Sequence, residues 1–159
     1  MTTPAATGSS PDLMFLLSWA SHVVTTEHAA RLAELGISPR AYCVLVKAVA
    51  GALTQKRLGD LCGIDKTTMV VTVDELERAG LVERRLSSAD RRARIITVTA
   101  EGEDVLARAR AIAARIQDDV FAALSDRDRT VFLDVLTGLV DGPLATPARC
   151  DRPVRRRTA

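Results

Sequence analysis

The 159-residue sequence is poor in aromatic side chains, with one Trp, one Tyr and three Phe making up 3% of it. Any core must therefore be built from Leu, Val, Ile and Ala. No uncharged apolar run approaches the roughly 18 residues that a membrane-spanning helix needs, so a helical membrane span is excluded. The first residues show no basic segment followed by an apolar stretch, so no signal peptide is expected and a cytoplasmic location is. Cysteine is scarce: Cys43, Cys62 and Cys150 form no C-x-x-C pair, and an odd number argues against a disulfide framework. The two histidines, His22 and His28, lie six apart, which is not the i, i+3 or i, i+4 spacing of a ligand pair on a helix. No metal site is expected. No nucleophile–base pairing stands out either, so neither an enzyme nor a cofactor is expected.

What is present is ordinary in bulk: 47% apolar and 26% charged residues, with a net charge of +2. Those proportions belong to a folded globule and not to a disordered chain. The length suits one domain, or one body with a helical appendage. Charge becomes informative through its distribution. Only Lys47, Lys56 and Lys66 among the 22 basic residues are lysines, and the arginines gather at 84–94 and 149–157.

Residues 1–10 are small and polar and read as a disordered tail, and 141–159, with three prolines and Arg155-Arg156-Arg157, read as a flexible basic tail. From Asp12 to about Leu35 the apolar residues Leu13, Leu16, Leu17, Ala20, Val23 and Val24 recur at helical spacing. Ser38-Pro39 opens a second helix that is expected to end at Gly51. Thr54 caps a short third helix, Gly63-Ile64 forms a tight turn, and Asp65 caps a fourth helix running to Gly80. The period then changes: Leu81–Leu86 and Arg94–Thr99 are strand-like and flank a polar, charged turn, which makes a hairpin. Thr99 caps a long helix, and Ser125 with Asp128 three residues on resembles a capping box at the start of a last one. The expected fold is mainly α with a small β-hairpin wing. A winged helix-turn-helix lobe spans 37–99, and helices at 11–36 and 100–140 flank it.

Those flanking helices carry apolar stripes that a single small body cannot cover. A two-fold homodimer would bury Leu13, Leu16, Leu17, Ile116, Val120, Phe121, Phe132 and Leu136.

A short helix, a turn, a second helix and an arginine-rich hairpin is an arrangement that lays its second helix in the DNA major groove. Placing Met69, Val73 and Leu76 inward leaves Thr67, Val70, Val71, Asp74 and Arg78 outward or flanking. The adjacent valines suit thymine methyl groups, or else contact another part of the protein; Thr67 and Thr68 suit base edges or phosphate. Lys66 stands in the first turn, where the helix dipole already favours a phosphate. Thr54 and Gln55 open the preceding helix beside it. In the hairpin, Arg84, Arg85, Arg91, Arg92 and Arg94 face Asp90 alone within an eleven-residue span. These strands would flank the backbone while the tip enters a minor groove, where negative potential is concentrated. Asp90 would hold the Arg92 guanidinium in one rotamer.

The stretch from Thr54 to Gly102 resembles the MarR (multiple antibiotic resistance regulator) family of winged-helix repressors. The resemblance is carried by Asp90 and Arg92 in an Asp-x-Arg pattern, by Leu76 to Val82 as Leu-Glu-x-x-Gly-Leu-Val, and by Thr99 to Gly102 as Thr-x-x-Gly. Gly59 stands where the family usually has Ala, and Val98 where it usually has Leu.

The resemblance implies an obligate homodimer, knitted by its terminal helices, that binds a pseudo-palindromic operator and responds to a small phenolic or anionic aromatic effector. In this chain such an effector would draw on Trp19, His22, His28, Arg31, Arg40 and Tyr42, with Arg31 or a His facing a carboxylate and Trp19 and Tyr42 supplying ring contacts. Thiol-based sensing also occurs in the family, usually through a cysteine near the start of the first helix, where this chain has none. Cys43 and Cys62 read as packing residues. The competing readings are a redox-responsive regulator of the same fold and a winged-helix protein-interaction module without DNA binding.

Overall fold

The computed structural model describes residues 11–51, 53–86 and 94–146. The elements run α1 (Leu13–Ala33), α2 (Pro39–Ala48), β1 (Leu53–Thr54), α3 (Gln55–Cys62), α4 (Lys66–Arg78), β2 (Val82–Leu86), β3 (Arg94–Val98), α5 (Ala100–Phe121) and α6 (Asp126–Asp141). The fold is mainly helical with a small antiparallel sheet.

The expected caps at Ser38, Thr54 and Asp65 are in place, accepting from Ala41, from Arg57, and from Thr67 and Thr68, and the structure adds Asp12, which accepts from the Met14 and Phe15 N–H groups. These side-chain oxygens satisfy donors that a helix start leaves without intrahelical partners. The helix ends differ from expectation. α1 stops at Ala33 because the Ile37 N–H reaches back to the Leu32 carbonyl at 3.2 Å, closing the turn before Leu35 can extend it. α2 stops at Ala48, short of Gly51.

β1 is the element the sequence pattern did not show. It pairs with β3, Leu53 opposite Ile96 and Thr54 opposite Ile95, so the hairpin becomes a three-stranded sheet of order β1-β3-β2. β2 and β3 pair from Val82 opposite Val98 to Leu86 opposite Arg94.

The chain divides into two compact units, Met1–Asp118 and Asp119–Ala159. In the first, Leu32, Leu45, Leu58, Met69, Leu76, Ile96 and Leu106 are the large side chains of one buried cluster. The last turn of α1 and the first turns of α5 thus share the core of the winged lobe, which does not end at residue 99. In the second unit, Ser125 caps α6 as expected, accepting from the Asp128 N–H at 3.2 Å, while the return bond runs between side chains, the Ser125 hydroxyl donating to the Asp128 carboxylate at 2.7 Å. Phe121 meets the edge of Phe132 at 5.6 Å, and the Arg129 guanidinium lies 5.4 Å above the Phe121 ring. No residue of α6 is fully buried. No helix among the described residues is long and apolar enough to cross a membrane.

Candidate nucleic-acid interface

The α3–turn–α4 unit is set by two local features. At Gly63 (φ +62) the backbone turns left-handed, which costs glycine nothing, and the Ile64 N–H closes onto the Gly59 carbonyl at 3.0 Å. Asp65 then starts α4, accepting from Thr67 N–H at 3.0 Å, Thr68 N–H at 3.1 Å and the Thr68 hydroxyl at 2.5 Å. The Thr68 hydroxyl bond, foremost, holds the Asp65 carboxyl below its usual range. Gly59 lies close against the turn and α4: a methyl there would sit 3.2 Å from the Ile64 carbonyl oxygen and 3.7 Å from Met69 Cγ.

Met69, Val73 and Leu76 are buried, as their spacing requires. Thr72 is buried beside them, and its hydroxyl donates to the Thr68 carbonyl at 2.9 Å. The opposite face is open: Lys66, Thr67 and Arg78 are exposed, with Val70 at 38% and Val71 at 51%. Two adjacent valines thus stand in solvent on the helix aimed outward, and the chain's own core does not take them up.

The other expected DNA-contacting residues are placed unevenly. The Thr54 hydroxyl is engaged as the α3 cap. Gln55 joins Lys56, Asp60 and Lys66 around an open cavity of about 520 Å³ floored by Gly59, Ile64 and Met69. Arg85 and Arg94 are exposed on β2 and β3, and Arg85 pairs with Glu83. Arg84 is different. Its guanidinium bridges Asp74 and Glu77 of α4, its side chain is only 14% exposed, and its own backbone N–H donates to Glu77 Oε1 at 3.2 Å. Asp90, Arg91 and Arg92 lie outside the described residues. The sequence pattern did not reveal the role of Glu77. Glu77 lies three residues after Asp74, one helical turn on, which is the only local hint that the two carboxylates could share a partner.

The base of the wing is locked to α5. The Thr99 hydroxyl donates to the Gly80 carbonyl at 2.7 Å and accepts from the Gly102 N–H at 3.0 Å, while the Thr99 N–H donates to the Leu81 carbonyl at 3.1 Å. This is the structural content of the Thr-x-x-Gly pattern.

The six effector-binding candidates do not come together. Trp19 stacks with Phe15 and tilts against His22, with centroids 6.4 and 5.9 Å apart. Farther along α1, His28 meets the edge of Tyr42 at 5.0 Å. Burial lowers the His28 pKa, and its Nε2 is buried with no hydrogen-bond partner among the described residues. Arg31 is held by Glu27 at 2.6 Å. Arg40 lines a cavity of about 400 Å³ with Ser38 and, from α4, Thr67, Thr68, Val71, Thr72 and Glu75.

The proposed dimer-contacting residues also divide. Leu13, Leu16, Leu17, Val120 and Phe132 are exposed and Leu136 is half-buried, but Ile116 and Phe121 are already buried within the single chain. Apolar period locates a stripe; it does not say which chain covers it.

The winged geometry has relatives. Residues 35–93 match the model of the MarR family. A protein assigned to transcriptional regulation of the hcr operon in Thauera aromatica is 32% identical over 131 residues, 82% of this chain and 74% of the relative. A solved MarR-family regulator from Rhodococcus sp. RHA1 is 31% identical, with a TM-score of 0.72 over 87% of this chain and 99% of that one. The chain belongs to the MarR family. Another solved structure, CouR from Rhodococcus jostii RHA1 bound to p-coumaroyl-CoA, is 30% identical with a TM-score of 0.72, over 92% of this chain and 100% of CouR. CouR, a transcriptional repressor, has also been solved on a 23-mer DNA duplex, matching at 28% identity with a TM-score of 0.73 over 80% of this chain and 92% of that one. As a MarR-family protein, the chain is a transcriptional regulator.

Proposed function

We propose that this MarR-family protein is a cytoplasmic, ligand-responsive repressor that binds a pseudo-palindromic operator as a two-fold dimer. One observation carries the reading: α4, fixed at its start by Asp65, presents Lys66, Thr67, Val70 and Val71 to solvent beside a basic wing. In it, Val70 and Val71 contact thymine methyls, Thr67 and Thr68 bond base edges or phosphate, and Lys66 and Arg78 neutralise backbone. Thr54 and Gln55 adjoin the backbone from α3. Arg85 and Arg94 grip it from the strands, and the wing tip brings Arg91 and Arg92, the latter paired with Asp90 in this reading, to the minor groove.

The dimer is supported by α1, whose residues 13–26 are all exposed, including Leu13, Met14, Phe15, Leu16, Leu17 and Trp19. A helix apolar on every side needs burial that one chain does not provide. α6 likewise exposes Val131, Phe132 and Val135. Effector response is supported by the CouR complex, whose ligand joins a phenolic ring to an anionic carrier. In this chain the effector is a phenolic or anionic aromatic compound, with Trp19, His22, His28, Arg31, Arg40 and Tyr42 as the residues available to it.

Neither alternative gains an observation. Burial first, with the neighbouring Cys43, pushes the Cys62 thiol up to about 12, which disfavours the thiolate that redox chemistry uses. A pure protein-interaction module would have no use for so basic a wing.

Selecting the fragments of the host genome that the protein retains tests the proposal. The expected result is a shared inverted repeat whose half-sites lie one helical turn apart, roughly 34–36 Å. A recovered pool with no common sequence would contradict it.

A further inference from the structure

We propose that Arg84 acts as a positioning residue: it clamps the wing to the recognition helix and neutralises two carboxylates that would otherwise face the phosphate backbone, and it does not itself contact DNA. The inference rests on the DNA-binding reading above and assigns one of its arginines a different task.

The clamp is built from three bonds between β2 and α4. One guanidinium nitrogen donates to Asp74, another to Glu77, and the Arg84 backbone N–H donates to the second oxygen of Glu77 at 3.2 Å. Glu77 therefore holds both the side chain and the main chain of the same strand residue. A planar guanidinium suits this bridging because its donors leave in fixed directions, which a lysine cannot reproduce. Burial by itself would lower the Arg84 pKa, but the two carboxylates outweigh it and raise the pKa above its usual value. The strand partner of Arg84 is Ile96, fully buried in the lobe's core. The clamp thus joins the outer surface of α4 to the middle of the sheet.

The Arg85 side chain is 62% exposed against 14% for Arg84. A phosphate reaching Arg84 would have to displace two carboxylates already in place, whereas Arg85 has, among the described residues, one, its neighbour Glu83. The wing arginines Arg91 and Arg92 lie five and six residues beyond the end of β2 in sequence. The angle that Arg84 sets between β2 and α4 therefore decides whether groove contacts by α4 and backbone contacts by the wing occur on the same duplex.

Clamp and simple electrostatics predict opposite signs for one variant. Asp74→Ala/Glu77→Ala removes two negative charges from a surface that faces a polyanion and frees Arg84. Charge alone therefore predicts tighter binding. The clamp predicts weaker binding, because the wing loses its fixed angle. The probe is a labelled duplex carrying a site recovered by genomic selection, titrated at several salt concentrations below the variant's unfolding midpoint. The expected result is a five- to tenfold loss, about the size of one wing contact. The salt slope should not fall, since no cation has been removed. Arg85→Ala, the comparison, should lower the slope by about one. Affinity for Asp74→Ala/Glu77→Ala equal to or above that of the unmodified protein overturns the clamp. Should the double variant not fold, Asp74→Ala alone breaks one arm and must show the same sign. Failure of the unmodified protein to bind any duplex would instead overturn the DNA-binding reading, so the two failures are distinct.

Discussion

Replacing Gly102 by alanine should destabilise the protein, even though alanine is the better helix former. Gly102 is buried in the first turn of α5, against the wing's base. An added methyl would fall 2.0 Å from the Leu81 carbonyl oxygen, 3.0 Å from the Leu81 carbonyl carbon and 2.7 Å from Val98 Cγ1. The Leu81 carbonyl cannot rotate away, because the Thr99 N–H holds it at 3.1 Å. Val98 is β-branched, with little freedom at χ1. The helix must then move by more than an ångström relative to the sheet. Propensity favours alanine over glycine by about 1 kcal/mol. Overpacking of a filled site costs about 1–3 kcal/mol, and loosening the two Thr99 bonds to Gly80 and Leu81 adds about 1 kcal/mol each. The net expectation is a loss of about 2–4 kcal/mol, or a midpoint lowered by about 4–16 °C for a chain of this size. Thermal and urea unfolding followed by circular dichroism measure it. A Gly102→Ala protein as stable as the parent, or more so, would show that the wing–α5 junction is not closely packed and refute the reasoning.

Other outcomes follow from the same structure. The Asp65 carboxyl titrates below its unfolded value of about 3.9, so its contribution is present above that pH and lost as pH falls through the folded value; Asp65→Asn should flatten the acid limb of the stability curve. A parent–variant difference that does not change between pH 6 and 3 would contradict that assignment. Arg92→Ala should weaken operator binding by about 1–3 kcal/mol with the unfolding midpoint unchanged, as seen by paired anisotropy and melting measurements; unchanged affinity would remove the wing tip from recognition. Leu17→Glu on the exposed face of α1 should convert dimers to monomers in analytical ultracentrifugation, and a dimer that persists would relocate the interface.

Local features were legible in the sequence because their physics is local. Ser38, Thr54, Asp65 and Ser125 cap helices through groups two or three residues away, so their spacing suffices. β1 was not legible: two residues carry no periodicity, and the strand exists only through its pairing with β3, some forty residues on. Arg84 shows the limit at the candidate site. Its sign was plain, but its partners Asp74 and Glu77 lie on another element across the Gly80 turn, and charge counting within the hairpin does not see them. The same limit applies to Ile116 and Phe121, whose stripe is filled by their own chain. It also separates Trp19 and His22 from His28 and Tyr42, since a shared helix does not make a shared pocket.

The central claim is that the open face of α4 and the arginines beside it recognise duplex DNA. Its most direct test is the affinity for one selected duplex and for a scrambled duplex of equal length, measured between about 50 and 200 mM salt. The account predicts a linear fall of log affinity with log salt, steep enough to report several displaced cations, and a preference for the selected sequence throughout. Binding that ignores both salt and sequence, or no binding at the lowest salt, would contradict it.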